Sequence, residues 1–216
     1  QGSRFVRALM LSSQDVLAKH PVNAARVARG DIPATMIWLF WGSGTPPVMP
    51  AFKLHHGLNA VMTSAVDLLN GLAQMAQIDV LDIPGVTDGL DNDYAAQAAG
   101  ALKSLGDHDL VVVHVEAPDE AGHSGSVEDK VEAIQRIDRD VIGQILSRGN
   151  EELRVLIMPD HPTPVIKRTH TAEPVPFLLW GNGFTGNGAH RLTEAEAGGT
   201  GLFIEPGHEI IHNLIS

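Results

Sequence analysis

Six strand-length apolar runs recur along the chain, and between them lie segments whose apolar residues return every three or four positions. The runs are Ala34–Phe40, Asn59–Ala65, Ile78–Ile83, Leu110–Val115, Leu153–Met158 and Phe177–Trp180. Several are apolar almost throughout, which suits strands covered on both faces. Helices are predicted over Ser12–Ala28, Val66–Ala76, Asn92–Leu105, Val127–Ser147 and His208–Ile215. The fourth presents Val127, Val131, Ile134, Ile137, Val141 and Ile145 as a core-facing stripe. This alternation predicts an α/β fold whose largely parallel sheet is flanked by helices. Gly and Pro cluster over Gly42–Pro50, Pro84–Gly89 and Gly181–Gly188, which marks loops.

At 216 residues and 44% apolar content, the chain can bury a core of single-domain size. Fifteen Lys and Arg against 26 Asp and Glu leave a net charge of -11, which argues against nucleic acid and anionic membrane as partners. With no cysteine there is no disulfide, no thiolate zinc site and no thiol nucleophile. The longest apolar stretch, Ala34 to Trp41, is too short to span a bilayer, and a cytoplasmic location is expected. The chain opens Gln1-Gly2-Ser3 without methionine, as expected of a tag remnant or an upstream cut. The Trp38–Trp41 stretch is expected in the core, and the segment before residue 50 reads as the remnant of a second domain.

In an open α/β sheet, working loops follow the carboxyl ends of strands. Here Leu110–Val115 runs into Glu116-Ala117-Pro118-Asp119-Glu120-Ala121-Gly122-His123, and Leu153–Met158 into Pro159-Asp160-His161-Pro162-Thr163-Pro164. Thr169-His170-Thr171 follows shortly after. Asp119, His123, Asp160, His161 and His170 thus supply two carboxylates and three imidazoles, a mixed oxygen and nitrogen set suited to Lewis-acid cations. Asp119 and His123, four apart, can face one ion. Adjacent Asp160 and His161 are expected to point to different sides and so reach two ions. Helix capping by the aspartates and ordinary surface histidines are the alternatives.

The run from Val113 through His123, the Pro159-Asp160-His161-Pro162-Thr163-Pro164 segment and Thr169-His170-Thr171-Ala172-Glu173-Pro174-Val175-Pro176-Phe177 resemble the archaeal-type cofactor-independent phosphoglycerate mutases of the alkaline phosphatase superfamily. His20-Pro21-Val22-Asn23 with Arg26, Ile37-Trp38-Leu39 with Gly42, and Ser64 through Gly71 are similar to them as well. The resemblance implies an alkaline-phosphatase-like core and two divalent cations, manganese first, with zinc and iron also fitting. It assigns Asp119, His123 and His170 to one cation, and Asp160 and His161 to the other. Residues 1–50 would be the tail of an inserted substrate domain with its return linker, and residues 51–216 the cation-binding core.

The activity implied is interconversion of 3- and 2-phosphoglycerate through a phosphoserine. A phosphatase or phosphonate hydrolase, or a non-catalytic metal-binding domain, are the alternatives. The family's N-terminal stretch, carrying the serine nucleophile and a further aspartate ligand, has no counterpart here. The expectation is a C-terminal portion, incomplete at its N-terminal side and inactive alone, whose raw sheet edge favours a homodimer. Ser12, Ser13, Ser43, Ser64, Ser124 and Ser126 read as caps, turns and strand residues. Arg26, Lys167 and Arg168 are candidates to hold the substrate phosphate. His55, His56, His108, His190, His208 and His212 match no motif.

Overall fold

The computed structural model describes residues 2–40, 42, 44–148 and 152–216; Trp41 and Ser43 lie outside them. The chain divides into two compact units, residues 1–48 and 49–216.

In the first unit, α1 (Gly2–Ala18) and α2 (Pro21–Ala28) replace the single helix predicted over Ser12–Ala28. Proline lacks the N–H needed to continue a helix, so the chain breaks at His20 and restarts with Pro21 in the first turn of α2. The His20 ring caps that turn, its Nδ1 accepting from Val22 N at 3.3 Å. The predicted strand Ala34–Phe40 has no ladder partner among the described residues. Its backbone is tied down by side chains instead. Asn23 donates to the carbonyls of Leu17 (2.7 Å) and Ala34 (2.6 Å) and accepts from Ala34 N, while Ser13 Oγ accepts from Ile37 N. Trp38, expected in the core, is 71% exposed and stacks on Phe40.

The second unit runs α3 (Phe52–His56), β1 (Ala60–Thr63), α4 (Asp67–Met75), β2 (Asp79–Val80), α5 (Tyr94–Ser104) and β3 (Leu110–Val113). It continues with α6 (Ala117–Ser124), α7 (Val127–Arg136), a π-helical turn (Ile137–Ile142) and α8 (Gly143–Ser147). Last come β4 (Arg154–Ile157), β5 (Leu178–Gly181), α9 (Glu194–Gly199), a 3-10 turn (Gly207–Glu209) and α10 (Ile210–Ile215). The strands β2-β1-β3 form a parallel sheet, with Ala60 opposite Leu110 and Thr63 opposite Val113. β4 and β5 pair antiparallel as a separate ribbon, Arg154 opposite Gly181. Gly181 has φ 119°, and a Cβ there would meet the Leu153 carbonyl, so only glycine closes this ladder.

The core centres on Tyr94, Ala98, Ala117, Ala133 and Val141, with Val113, Val115, Ile137 and Ile145 packed around it. Alanines at the contacts let α5 and the α7–α8 rod approach closely. The predicted stripe is therefore corrected in its first half. Val127, Val131 and Ile134 are exposed, and Ala133 is the buried residue of α7. Gln97, fully buried, donates to the His114 carbonyl at 2.9 Å and accepts from Asn92 at 3.0 Å. That pair holds the end of β3, where the site begins.

Candidate metal centre

α6 starts directly after β3, with Glu116 at its N-cap and Pro118 in the first turn, where a missing N–H costs nothing. Asp119 and His123 therefore sit one turn apart on the same face of a helix. α6 is short and carries little apolar periodicity, so patterning alone does not separate a loop from a helical turn here. The other ligand-type residues come from the segment after β4. Its backbone is folded back by Lys167 and Arg168 N–H groups donating to the Pro164 carbonyl (2.8 and 2.9 Å) and by Thr171 N donating to Pro162.

All five expected residues are brought together. His123 Nε2 lies 3.1 Å from His170 Nε2 and 3.2 Å from Asp119 Oδ2, and His170 Nε2 is 3.5 Å from Asp119 Oδ1. Ligand atoms around a tetrahedral cation with bonds of about 2.1 Å stand roughly 3.4 Å apart, and each of these pairs is near that spacing, with the two Asp119 oxygens facing different histidines. The His123 Nδ1 faces the Arg168 carbonyl at 3.1 Å. That bond places the proton on Nδ1 and leaves the Nε2 lone pair free, the usual outer-partner arrangement of a metal-binding histidine.

Asp160 and His161 form the second set. The expectation that they diverge is corrected: they lie on a bend rather than in a strand, and His161 Nε2 stands 3.2 Å from Asp160 Oδ2. The His161 ring lies 3.8 Å from that of His170, and Asp119, His161 and His170 can each bring one ligand atom within 4.8 Å of the others. The two sets thus share one rim.

Sequence reasoning missed the groups behind the ligands. Thr163, buried, donates its hydroxyl to Asp119 Oδ1 and contacts His161 Nδ1 at 3.2 Å. Lys130 Nζ donates to the Thr163 carbonyl at 2.7 Å; burial holds this amine below the ordinary lysine range, with Asp119 and Glu194 opposing. Ser64 Oγ contacts His114 Nδ1 at 2.9 Å, and His114 Nε2 meets Glu116 Oε2 at 3.2 Å. Burial pushes the His114 imidazole down and the Glu116 carboxyl up, the latter aided by Asp119, Glu120 and Asp160. A histidine inside a strand-end motif was the available signal for His114.

Of the expected phosphate contacts, Lys167 and Arg168 are exposed on the segment that carries His170, and Arg168 side-chain atoms lie against Gly125. Arg26 belongs to the first unit, where its Nε donates to the Ile32 carbonyl at 2.9 Å. Among the serines, Ser12, Ser13 and Ser124 bond carbonyls one turn back, and Ser126 caps α7.

The metalloenzyme superfamily profile matches residues 13–214, and the chain belongs to that superfamily. Within it, the chain is homologous to archaeal-type phosphoglycerate mutases. The 2,3-bisphosphoglycerate-independent phosphoglycerate mutase of Methanothrix thermoacetophila is 44% identical over 211 residues, 96% of this chain and 54% of that one. A probable enzyme of the same name from Geobacter sulfurreducens is 41% identical, covering all of this chain and 54% of its own length. The chain spans about half the length of the curated relatives it matches. Among solved structures, the PH0037 protein from Pyrococcus horikoshii superposes with a TM-score of 0.79 at 31% identity, over 90% of this chain and 51% of that one. The cofactor-independent phosphoglycerate mutase from Thermoplasma acidophilum shares the fold, with a TM-score of 0.59 at 20% identity, over all of this chain and 52% of that one. No helix among the described residues is long and apolar enough to cross a membrane.

Proposed function

We propose that this chain supplies the cation-binding part of a cofactor-independent phosphoglycerate mutase that interconverts 3- and 2-phosphoglycerate through a phosphoserine. The observation that carries this reading is the gathering of Asp119, His123 and His170, whose facing atoms lie 3.1 to 3.5 Å apart through the two Asp119 oxygens, in a chain homologous to such mutases. Asp119, His123 and His170 hold one divalent cation, and Asp160 with His161 holds part of the shell of a second. Bound there, the cations, manganese first, would polarise the phosphoryl oxygens as Lewis acids.

The residues around the ligands do the positioning. The Arg168 carbonyl fixes the His123 tautomer, Thr163 orients the Asp119 carboxylate, and Lys130 holds the Thr163 backbone. Lys167 and Arg168 offer cationic groups for the substrate phosphate beside His170, and Arg26 offers another from residues 1–50, read as the tail of an inserted substrate domain. Ser64, the serine tied to the site through His114, already accepts from Val66 N at 3.0 Å besides its contact with His114. The resemblance places the phosphorylated serine in the family's N-terminal stretch, which has no counterpart in these 216 residues, and this chain is expected to be inactive by itself. A glycolytic reaction of this kind belongs in the cytoplasm.

Two measurements test the reading. Calorimetric titration with manganese is expected to find one tight site on this chain, absent in Asp119→Ala; two equally tight sites would contradict the division of ligands. Product analysis on the longer protein is expected to yield 2-phosphoglycerate, whereas free phosphate would make it a hydrolase. A homodimer is assigned to the outer edge of β3, which pairs on one side only among the described residues. A monomer by light scattering at high concentration removes it.

A further inference from the structure

β1 and β3 end side by side. Thr63 pairs with Val113, and His114 N donates to the Thr63 carbonyl at 3.0 Å, so Ser64 and His114 leave the sheet as neighbours. Their side chains meet there: Ser64 Oγ lies 2.9 Å from His114 Nδ1, and Val66 N donates to the same oxygen at 3.0 Å. The His114 backbone is held as well, its carbonyl accepting from the buried Gln97. On the far side of the ring, Nε2 faces Glu116 Oε2 at 3.2 Å. Burial lowers the imidazole, so near neutral pH it carries one proton, and an ionised carboxylate can only accept. The proton therefore stands at Nε2, and Ser64 donates to Nδ1.

Glu116 is also the N-cap of α6, and its carbonyl accepts from Asp119 N at 2.8 Å. Its side chain is only 21% exposed, kept beside the ring rather than turned out into water. Glu116, Asp119 and Glu120 each bring one carboxylate oxygen within 4.8 Å of the others. Like charges at that range repel, and they repel more strongly where water is partly excluded. A divalent cation on Asp119 offsets that repulsion, so the neighbouring charge that is a cost in the empty centre favours the filled one.

We propose that Glu116 is a positioning residue of the Asp119, His123 and His170 centre: aimed by Ser64 through His114, its carboxylate stands behind Asp119 as an outer anionic group and tightens the hold on a divalent cation without ligating it. The role rests on the reading above only in needing a cation at Asp119. Serine, histidine and glutamate form one line from the end of β1 to the first turn of α6, so the strand pairing itself sets where the extra charge falls.

The test is calorimetric titration with manganese on wild type, Glu116→Gln, Glu120→Gln and Asp119→Ala. Glutamine keeps an oxygen that can accept from His114 and removes only the charge. Glu116→Gln is therefore expected to bind manganese about 10-fold more weakly at unchanged stoichiometry. Glu120 is exposed, and its charge is screened by water and salt, so Glu120→Gln is expected to cost less; an equal loss overturns the aiming by His114. The cation-free melting temperature of Glu116→Gln is expected to hold or rise, because a like charge has gone. A fall there beside the lost affinity overturns the role in favour of a merely structural one. Equal affinity in Glu116→Gln and wild type, with Asp119→Ala silent, overturns this role and leaves the centre standing. Complete loss in Glu116→Gln would make the residue a ligand and overturns the role as well. No binding by wild type removes the centre and the role together.

Discussion

The Nε2 atoms of His123 and His170 face each other at 3.1 Å, while the other nitrogen of the His123 ring is committed to the Arg168 carbonyl. In the proposed centre a cation takes the place of the hydrogen bond between these rings, so there His170→Ala removes a ligand rather than a neighbour. Manganese affinity is expected to fall by more than the roughly 10- to 100-fold that loss of an outer partner costs. Titration of wild type and variant side by side measures it.

Thr163 acts one step further out. Its hydroxyl donates to Asp119 and contacts His161, and valine has nearly the same shape without the hydroxyl. Thr163→Val is expected to leave the fold intact by circular dichroism. It should weaken manganese binding by about 10- to 100-fold through loss of ligand orientation.

Gly122 shows why α6 can lie against the segment after β4. A Cβ at this position would stand 2.5 Å from the Thr163 carbonyl oxygen and 2.8 Å from Thr163 Cγ2. Gly122→Ala therefore displaces the segment that orients Asp119, despite the better helix propensity of alanine. A loss of about 1–3 kcal/mol is expected in urea unfolding, as for other overpacked sites, with weakened cation binding alongside.

Gln97 links the core to the site without touching a ligand. Replacing it with leucine leaves the His114 carbonyl and the Asn92 amide without their partner in a buried position. A destabilisation of about 1–3 kcal/mol is expected, read from the urea midpoint.

His108 ties the end of α5 to β2, bonding Asp79 at 3.1 Å and the Ser104 carbonyl at 3.1 Å. The bond to Asp79 raises the imidazole above its ordinary range, outweighing desolvation. A raised histidine contributes its stability fully below the unfolded value, about 6.5, and loses it as pH climbs through the folded one. Denaturant midpoints of wild type and Asp79→Asn are expected to differ most just below the unfolded value and to converge as pH climbs past the raised folded one.

What was legible in the sequence divides by the range of the interaction. β1 and β3, α4 and α5 followed from apolar runs and periodicity, because burial on a sheet imposes those patterns locally. The five ligand-type residues were legible because each lies in a short motif at a strand end. Trp38 and the Ala34–Phe40 run misled because an apolar strand needs a ladder partner, and here Asn23 and Ser13 take the backbone groups instead. Thr163, Lys130 and His114 stayed hidden because their roles depend on contacts across 33 to 50 positions of chain. The antiparallel pairing of β4 with β5 was equally out of reach, since strand direction leaves no trace in composition.

The π-helical turn at Ile137–Ile142 has a consequence for reading frames of another kind. Eight residues of regular α-helix turn through about 800°, which would leave Ala133 and Val141 roughly 80° out of phase. The wider turn absorbs one residue, so the two behave as if seven apart and about 20° out of phase, and both enter the same core. The rod thus behaves like a straight helix with one residue inserted and no loop to hold it. Any helical wheel drawn through this segment must be restarted after Ile142.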